Sequence, residues 1–307
     1  MTLTELRYLV AVARERHFGR AAEACHVSQP TLSVAIKKLE EELDVKIFER
    51  SSNEIAVTPL GQEIVRQAQV VIEQAQLIKE IAKRGRDPLA GPLRLGVIYT
   101  IGPYLLPDLV RQVIERTPQM PLLLQENFTV KLLDMLRSGE LDCAILAEPF
   151  PDAGLAIAPL YDEPFRIAVP ASHPLAQRES LSAEELKQET LLLLGNGHCF
   201  RDHVLEVCPE FARFASGAEG IQRSFEGSSL ETIKHMVASG MGITVVPELS
   251  VPAEPPPHLK FLHFTEPVPS RRVVLAWRRS FTRYEAIAAL RNAVMACRLA
   301  GVQRINA

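Results

Sequence analysis

Apolar residues recur at helical spacing through the first 58 residues of the chain. Leu6, Leu9, Val10 and Ala13 mark one face of a helix over residues 3–16. A shorter helix follows over 20–25. A third opens at Ser28, a natural N-cap, with Pro30 near the first helical position, where its missing N–H costs nothing. In this third helix Leu32, Ala35, Ile36 and Leu39 turn inward, which leaves Gln29, Thr31, Ser33 and Lys37 outside. Two helices joined by a tight turn, the second presenting amide and hydroxyl groups, have the helix-turn-helix layout. Gln, Ser and Thr can read base edges, and Lys can neutralise phosphates. Ile47-Phe48-Glu49-Arg50 and Ile55-Ala56-Val57 flank Ser51-Ser52-Asn53 as the strands of a β-wing, with Arg50 beside its tip.

The period then narrows. Ile64, Ala68, Val71, Ala75, Ile78 and Ala82 follow a strict four-three spacing along a long helix that ends near Lys83. Such a stripe is a coiled-coil seam, and alanine at every second position permits close helix approach. The other reading is a helix packed on its own domain. Gly85-Arg86-Asp87-Pro88 then ends the helix at a hinge. From Pro92 onward, strands are predicted at 93–98, 122–125, 143–147, 165–169, 191–194, 242–246 and 273–277. Helices are predicted at 103–116, 132–137, 229–238 and 284–298. This alternation predicts a parallel, doubly wound α/β architecture. About 210 residues is large for one sheet, so two subdomains with a cleft are expected. Ligands in such folds sit beyond the carboxyl ends of strands, where Thr100 and Thr129 can face one pocket.

Composition narrows the function classes. A chain of 307 residues exceeds one ordinary core. It lacks a signal-peptide layout and any apolar run near about 18 residues, so no membrane span is expected. Five scattered cysteines suit a reducing cytoplasm, where a disulfide is transient and regulatory. Net charge is −3, and residues 1–58 hold eight Lys/Arg against nine Asp/Glu, so DNA binding needs a local basic face. Glu40, Glu41, Glu42 and Asp44 would then turn away from DNA. No phosphate-loop glycine pattern, metal-ligand cluster or Ser-His-Asp layout is present. Neither an enzyme nor a resident metal or cofactor is expected.

The chemistry concentrates in Gly197-His198-Cys199-Phe200-Arg201-Asp202, with Cys208 nine residues after Cys199. His198, Arg201 and a helix start can each lower a thiol pKa. The segment 198–207 is predicted helical, with Phe200, Val204 and Val207 on an apolar side. In a helix, nine residues span roughly 13 Å and place the two sulfurs on opposite faces. A disulfide needs Cα atoms within about 7 Å, so bonding requires the segment to unwind. A bond that must break local structure is a candidate switch. Two other readings stay open: buried structural cysteines, and zinc held by His198, Cys199, His203 and Cys208. Zinc is disfavoured because adjacent His-Cys is a poor chelate and no C-x-x-C pair occurs.

A winged helix-turn-helix, a seam-bearing helix and a two-lobed α/β domain resemble LysR-type transcriptional regulators over the full length. Phe18-Gly19-Arg20-Ala21-Ala22 and Val27-Ser28-Gln29-Pro30-Thr31-Leu32-Ser33 are similar to that family's DNA-reading motif. The Gly197–Asp202 stretch with Cys208 is similar to the family's peroxide-sensing branch. The resemblance implies a DNA-binding domain over 1–58, a linker and dimerisation helix over 59–84 and a hinge over 85–91. It also implies a periplasmic-binding-protein-like regulatory domain over 92–307, with lobe I at 92–161 and 268–300 and lobe II at 162–267. Peroxide would oxidise Cys199 to a sulfenic acid, and Cys208 would resolve it to a disulfide. Thr100, Thr129, His198, Arg201 and Asp202 are the groups expected around the peroxide. Arg20, Ser28, Gln29, Pro30, Thr31, Ser33, Lys37, Arg50 and Ser52 are expected at double-stranded promoter DNA. Implied partners are a second copy within a dimer of dimers, RNA polymerase and cellular thiol reductants. A small organic effector in the interlobe cleft is the alternative trigger. A peroxidatic enzyme using Cys199 and Cys208 turnover is a reading from another class.

Overall fold

A reciprocal cap starts the first helix, α1 (Leu3–Glu15). The Thr2 hydroxyl accepts from Glu5 N at 3.2 Å, and the Glu5 carboxylate accepts from Thr2 N at 2.7 Å. Then come α2 (Phe18–Ala24) and α3 (Gln29–Leu43). Leu9, Leu32, Ile36 and Leu39 are fully buried between these helices. Strands β1 (Phe48–Arg50) and β2 (Ile55–Val57) pair antiparallel as the wing. Glu40, expected on the outer acidic face, is instead buried. Its Oε1 accepts from Ile47 N at 2.8 Å and Phe48 N at 3.1 Å, which ties the root of the wing to α3. Two otherwise orphaned backbone donors offset the desolvation of the carboxylate.

The long helix α4 (Pro59–Lys83) divides the predicted seam. Ala68 is buried and Ile64 half-buried in the core that α1 to α3 form. The early part of the stripe therefore packs on its own domain. Val71 and Ile78 are exposed, Ala75 is half-buried, and the side chain of Ala82 lies outside the described residues. The computed structural model describes residues 1–50, 55–83, 88–208, 226–227 and 229–305. They fall into two compact units, Met1–Asp87 and Pro88–Ala307.

The second unit begins with β3 (Leu93–Ile98), α5 (Gly102–Arg116), β4 (Leu122–Asn127), α6 (Thr129–Ser138) and β5 (Cys143–Ala147). A 16-residue strand, β6 (Leu155–Pro170), follows. Next are β7 (Ser180–Leu181), β8 (Leu193–Leu194), α7 (Cys199–Val207), β9 (Glu226–Gly227), α8 (Leu230–Ala238) and β10 (Thr244–Pro247). The chain ends with β11 (Leu259–Phe264), β12 (Ser270–Arg278), α9 (Tyr284–Ala296) and β13 (Gln303–Arg304).

The main sheet runs β4-β3-β5-β12-β6-β11-β7, with β10 and β13 also on β6. Strands β3, β4 and β5 are parallel, as predicted. The expectation of a wholly parallel sheet fails beyond them, because β12 lies antiparallel to both β5 and β6, and β10 and β11 lie antiparallel to β6. Strands β11 and β12 follow one another along β6 in the same direction, both antiparallel to it, so the short link from Phe264 to Ser270 carries the chain from one lobe to the other without a helical crossover. Two apolar cores result. Leu95, Val97, Leu105 and Leu160 belong to lobe I, and Phe165, Ile167, Phe200 and Val204 to lobe II.

Candidate functional site

Three chain turns meet where the lobes join. The turn after β3 brings Tyr99 and Thr100, the turn after β4 brings Phe128 and Thr129, and the start of α7 brings Gly197, His198 and Cys199. With Ile98 and Asn127 these residues line a pocket with room for about 10 Å³. That is the space one water-sized molecule needs. Gly197 is in the left-handed region at φ +96°, and an added Cβ would stand 3.3 Å from the Phe128 ring. The turn thus requires glycine on conformational and steric grounds.

A buried ion pair lies next to Thr100. Arg271 Nε donates to Glu163 Oε2 at 2.8 Å, and both side chains are shielded from solvent. Arg271 Nη1 donates to Thr100 Oγ1 at 2.8 Å and Nη2 to Thr100 O at 3.0 Å. Glu163 Oε1 accepts from Leu249 N at 2.9 Å, and the guanidinium lies 5.1 Å from the Phe200 ring centre. Because Thr100 Oγ1 already accepts from Arg271, its own proton is available to another acceptor. These side chains fill the seam between the lobes.

Burial pushes the Cys199 thiol above its usual pKa. The Thr129 hydroxyl, the Arg271 charge and the backbone N–H of Cys199 pull it back, while Asp202 pushes it further up. Desolvation of the thiolate outweighs the local donors. Two of the groups expected around the peroxide lie elsewhere. Arg201 is buried, and its Nη1 donates to Leu194 O at 2.8 Å. Asp202 is exposed and does not line the pocket. Thr100, Thr129, His198 and Cys199 do come together there. Thr129 Oγ1 is buried without a hydrogen bond of full geometry, which leaves it available to the sulfur or to a ligand.

Cys199 packs against the lobe I core and Cys208 is buried in the lobe II core, with α7 intact between them and neither cysteine in a disulfide. The opposite-face geometry is as the sequence predicts. His203 holds the same helix across the seam, with Nε2 2.7 Å from Glu148 O. Burial pushes its pKa down, so the ring is neutral and Nε2–H donates. Among the described residues, no three His, Cys, Asp or Glu side chains gather as a metal site.

In the first unit, Arg20, Ser28, Gln29, Pro30, Thr31 and Lys37 are exposed, and Ser33 is half-buried. Ser28 Oγ accepts from Thr31 N at 3.3 Å and shares a 2.7 Å hydrogen bond with Thr31 Oγ1, so both hydroxyls also serve the helix start. Arg20 Nη2 donates to Glu15 O at 2.9 Å, and Lys37 stands 3.6 Å from Glu41. Ser52 and the side chain of Arg50 lie outside the described residues.

Sequence reasoning missed Arg271, Glu163, Tyr99 and Phe128. The first two sit far from the cysteine motif in sequence, and no local spacing marks them. Tyr99 and Phe128 directly precede Thr100 and Thr129, and a bulky aromatic before each threonine was the available signal.

Residues 3–62 match the family described as bacterial regulatory helix-turn-helix protein, lysR family, and residues 86–297 match the LysR substrate binding domain. A hydrogen peroxide-inducible genes activator of Pectobacterium carotovorum is 42% identical over 94% of this chain and 95% of its own length. The DNA-binding transcriptional dual regulator OxyR of Escherichia coli is 41% identical over 94% of each chain. Among solved structures, a full-length aspartate-for-cysteine variant of OxyR from Pseudomonas aeruginosa has a TM-score of 0.78 at 51% identity. It covers 100% of this chain and 98% of its own. A peroxide-bound variant of OxyR from Corynebacterium glutamicum has a TM-score of 0.64 at 34% identity, over 95% of this chain and 91% of its own.

Proposed function

The chain belongs to the LysR family of transcriptional regulators, and on that premise we propose that it is a promoter-binding activator switched by hydrogen peroxide at Cys199. One observation carries the reading: Cys199 opens on a pocket sized for a water-like molecule, while Cys208 waits in the opposite core. The relatives named for peroxide-inducible genes support it. The chemistry balances in two steps. The Cys199 thiolate takes the near oxygen of the peroxide, the O–O bond breaks, and the departing hydroxide takes a proton to leave as water. The Cys208 thiol then attacks the sulfenic sulfur, and a second water leaves as the disulfide forms. Thr129 donates to the thiolate, Arg271 lowers the cost of its charge, and Thr100 offers its proton to a peroxide oxygen.

Because the sulfurs face opposite cores, α7 unwinds when they bond and the His203–Glu148 link is lost. That remodelling re-orients subunits on DNA. Residues 1–58 contact the promoter and 59–84 dimerise, and the hinge expected at 85–91 lies partly outside the described residues. The exposed leucines Leu123 and Leu124 on the edge strand β4, with Ile114 on α5, offer a second surface for self-association into a dimer of dimers. RNA polymerase and cellular thiol reductants are the remaining partners. No described helix is long and apolar enough to cross a membrane. A disulfide reversed by cellular thiols belongs in the cytoplasm. Peroxide is consumed once per switching event, not by turnover.

The test is mass spectrometry of alkylated peptides before and after stoichiometric peroxide. The expected result is loss of alkylation at Cys199 and Cys208 together, with a linked peptide pair. Full alkylation of both after peroxide overturns the reading.

A further inference from the structure

We infer that the ring cluster of Tyr99, Phe128 and His198 is a size filter over Cys199, admitting hydrogen peroxide and holding off alkyl hydroperoxides. The inference rests on the peroxide reading above and specifies the substrate class of that site.

Each ring touches the other two. Phe128 meets Tyr99 edge-on at 5.2 Å and His198 edge-on at 4.8 Å, and Tyr99 and His198 are 5.9 Å apart. A ring held by two neighbours does not swing aside alone, and such contacts add attraction beyond simple burial. All three line the pocket. Its inner end, Thr100 and Thr129, is buried, whereas Tyr99 and Phe128 are 39% and 37% exposed. The aromatic pair therefore forms the outer wall, between solvent and the reacting sulfur. Gly197 fixes the position of that wall, since the Phe128 ring rests against its bare Cα.

The reaction makes the outer wall selective. The sulfur attacks the near oxygen in line with the O–O bond, so the leaving oxygen and its substituent point away from the sulfur. The sulfur gives up two electrons and becomes the sulfenic acid. The leaving group is hydroxide from hydrogen peroxide or an alkoxide from an alkyl hydroperoxide, and it takes one proton to depart as water or an alcohol. Hydroxide fits a water-sized space. A cumyl or tert-butyl alkoxide overlaps the rings unless they part.

The test compares Cys199 oxidation by hydrogen peroxide and by cumene hydroperoxide in the full chain and in Tyr99→Ala, Phe128→Ala and the double variant. Both sites are half-exposed, so the fold tolerates truncation. Loss of Cys199 alkylation is followed by rapid quench and mass spectrometry. The parent is expected to strongly favour hydrogen peroxide. The variants should gain about tenfold or more with cumene hydroperoxide, the scale on which pocket size discriminates, while the hydrogen peroxide rate changes much less. Parallel changes in both rates, or no change in their ratio, overturn the filter. If the parent reacts with neither peroxide, the peroxide reading itself fails, which is a separate outcome.

Discussion

Replacing Arg271 by Met tests what holds the lobes together at the sensing site. The substitution keeps much of the apolar stem but removes the guanidinium. It deletes the ion pair to Glu163 and both hydrogen bonds to Thr100. Glu163 is left with Leu249 N as its remaining donor, in a site where its side chain is 1% exposed. Removing one member of a buried pair costs about 3–5 kcal/mol, because the other charge is stranded. For a unit of this size about 2–4 °C is lost per kcal/mol, so the thermal midpoint of the regulatory unit should fall by roughly 6–20 °C. Adding Glu163→Met removes the stranded charge. Part of the loss should return, while the Thr100 and Leu249 groups that lose their partners keep the double variant below the parent. Calorimetry on the reduced full-length chain measures this. Loss of the Arg271 charge should also raise the Cys199 pKa further and slow its oxidation near neutral pH. A double variant that loses as much as the two single variants summed would refute the stranded-charge argument.

Cys208→Ser should leave the first oxidation intact but trap the sulfenic acid, detectable by dimedone labelling, and Cys199→Ser should give no label at all. Val71→Ala with Ile78→Ala should weaken self-association, since truncation of residues buried by a partner costs about 1–4 kcal/mol apiece; unchanged sedimentation would place the interface elsewhere. Burial raises the thiols of Cys143, Cys199 and Cys297, the last to about 12 from a usual 9.0. A raised folded pKa contributes stability that is complete below the unfolded value and is lost as pH rises through the folded one. Thermal stability should therefore decline above pH 9 and fall further toward 12, and Cys297→Ala should flatten that decline.

Local chemistry was legible in the sequence and long-range pairing was not. Ser28, Pro30 and the inward row Leu32, Ile36 and Leu39 announce α3 because caps and helical periodicity act within a few residues. Phe200 and Val204 announce α7 in the same way, and its geometry alone separates Cys199 from Cys208. Glu40 looks like one of a run of solvated acids, because the donors it meets, Ile47 N and Phe48 N, are backbone groups. Glu163 and Arg271 are 108 residues apart, and only the sheet brings β6 beside β12. The direction of the Cys199 pKa is illegible for a related reason. Neighbouring charges can be counted along a chain, whereas desolvation depends on what folds over the thiol.

The unbroken strand β6 has a consequence for how long a signal lasts. At about 3.3 Å per residue, its 16 residues reach roughly 50 Å through both lobes. Strand β12 pairs with Leu155–Pro164 and β11 with Arg166–Pro170, and Phe165 N donates to Pro269 O at 2.9 Å between them. Closure of two lobes around a ligand needs a few residues free to absorb large backbone rotations, and β6, laddered on both sides of Phe165 with its one register shift lying inside lobe I opposite Val273 and Val274, supplies none at the lobe boundary. Here the two lobes form a fixed frame, and the signal is written as a covalent bond within it. A regulator that clasps its effector lets go when the effector concentration falls. A chain built this way keeps a record after the oxidant has gone, and the rate at which thiols erase that record sets the duration of the response.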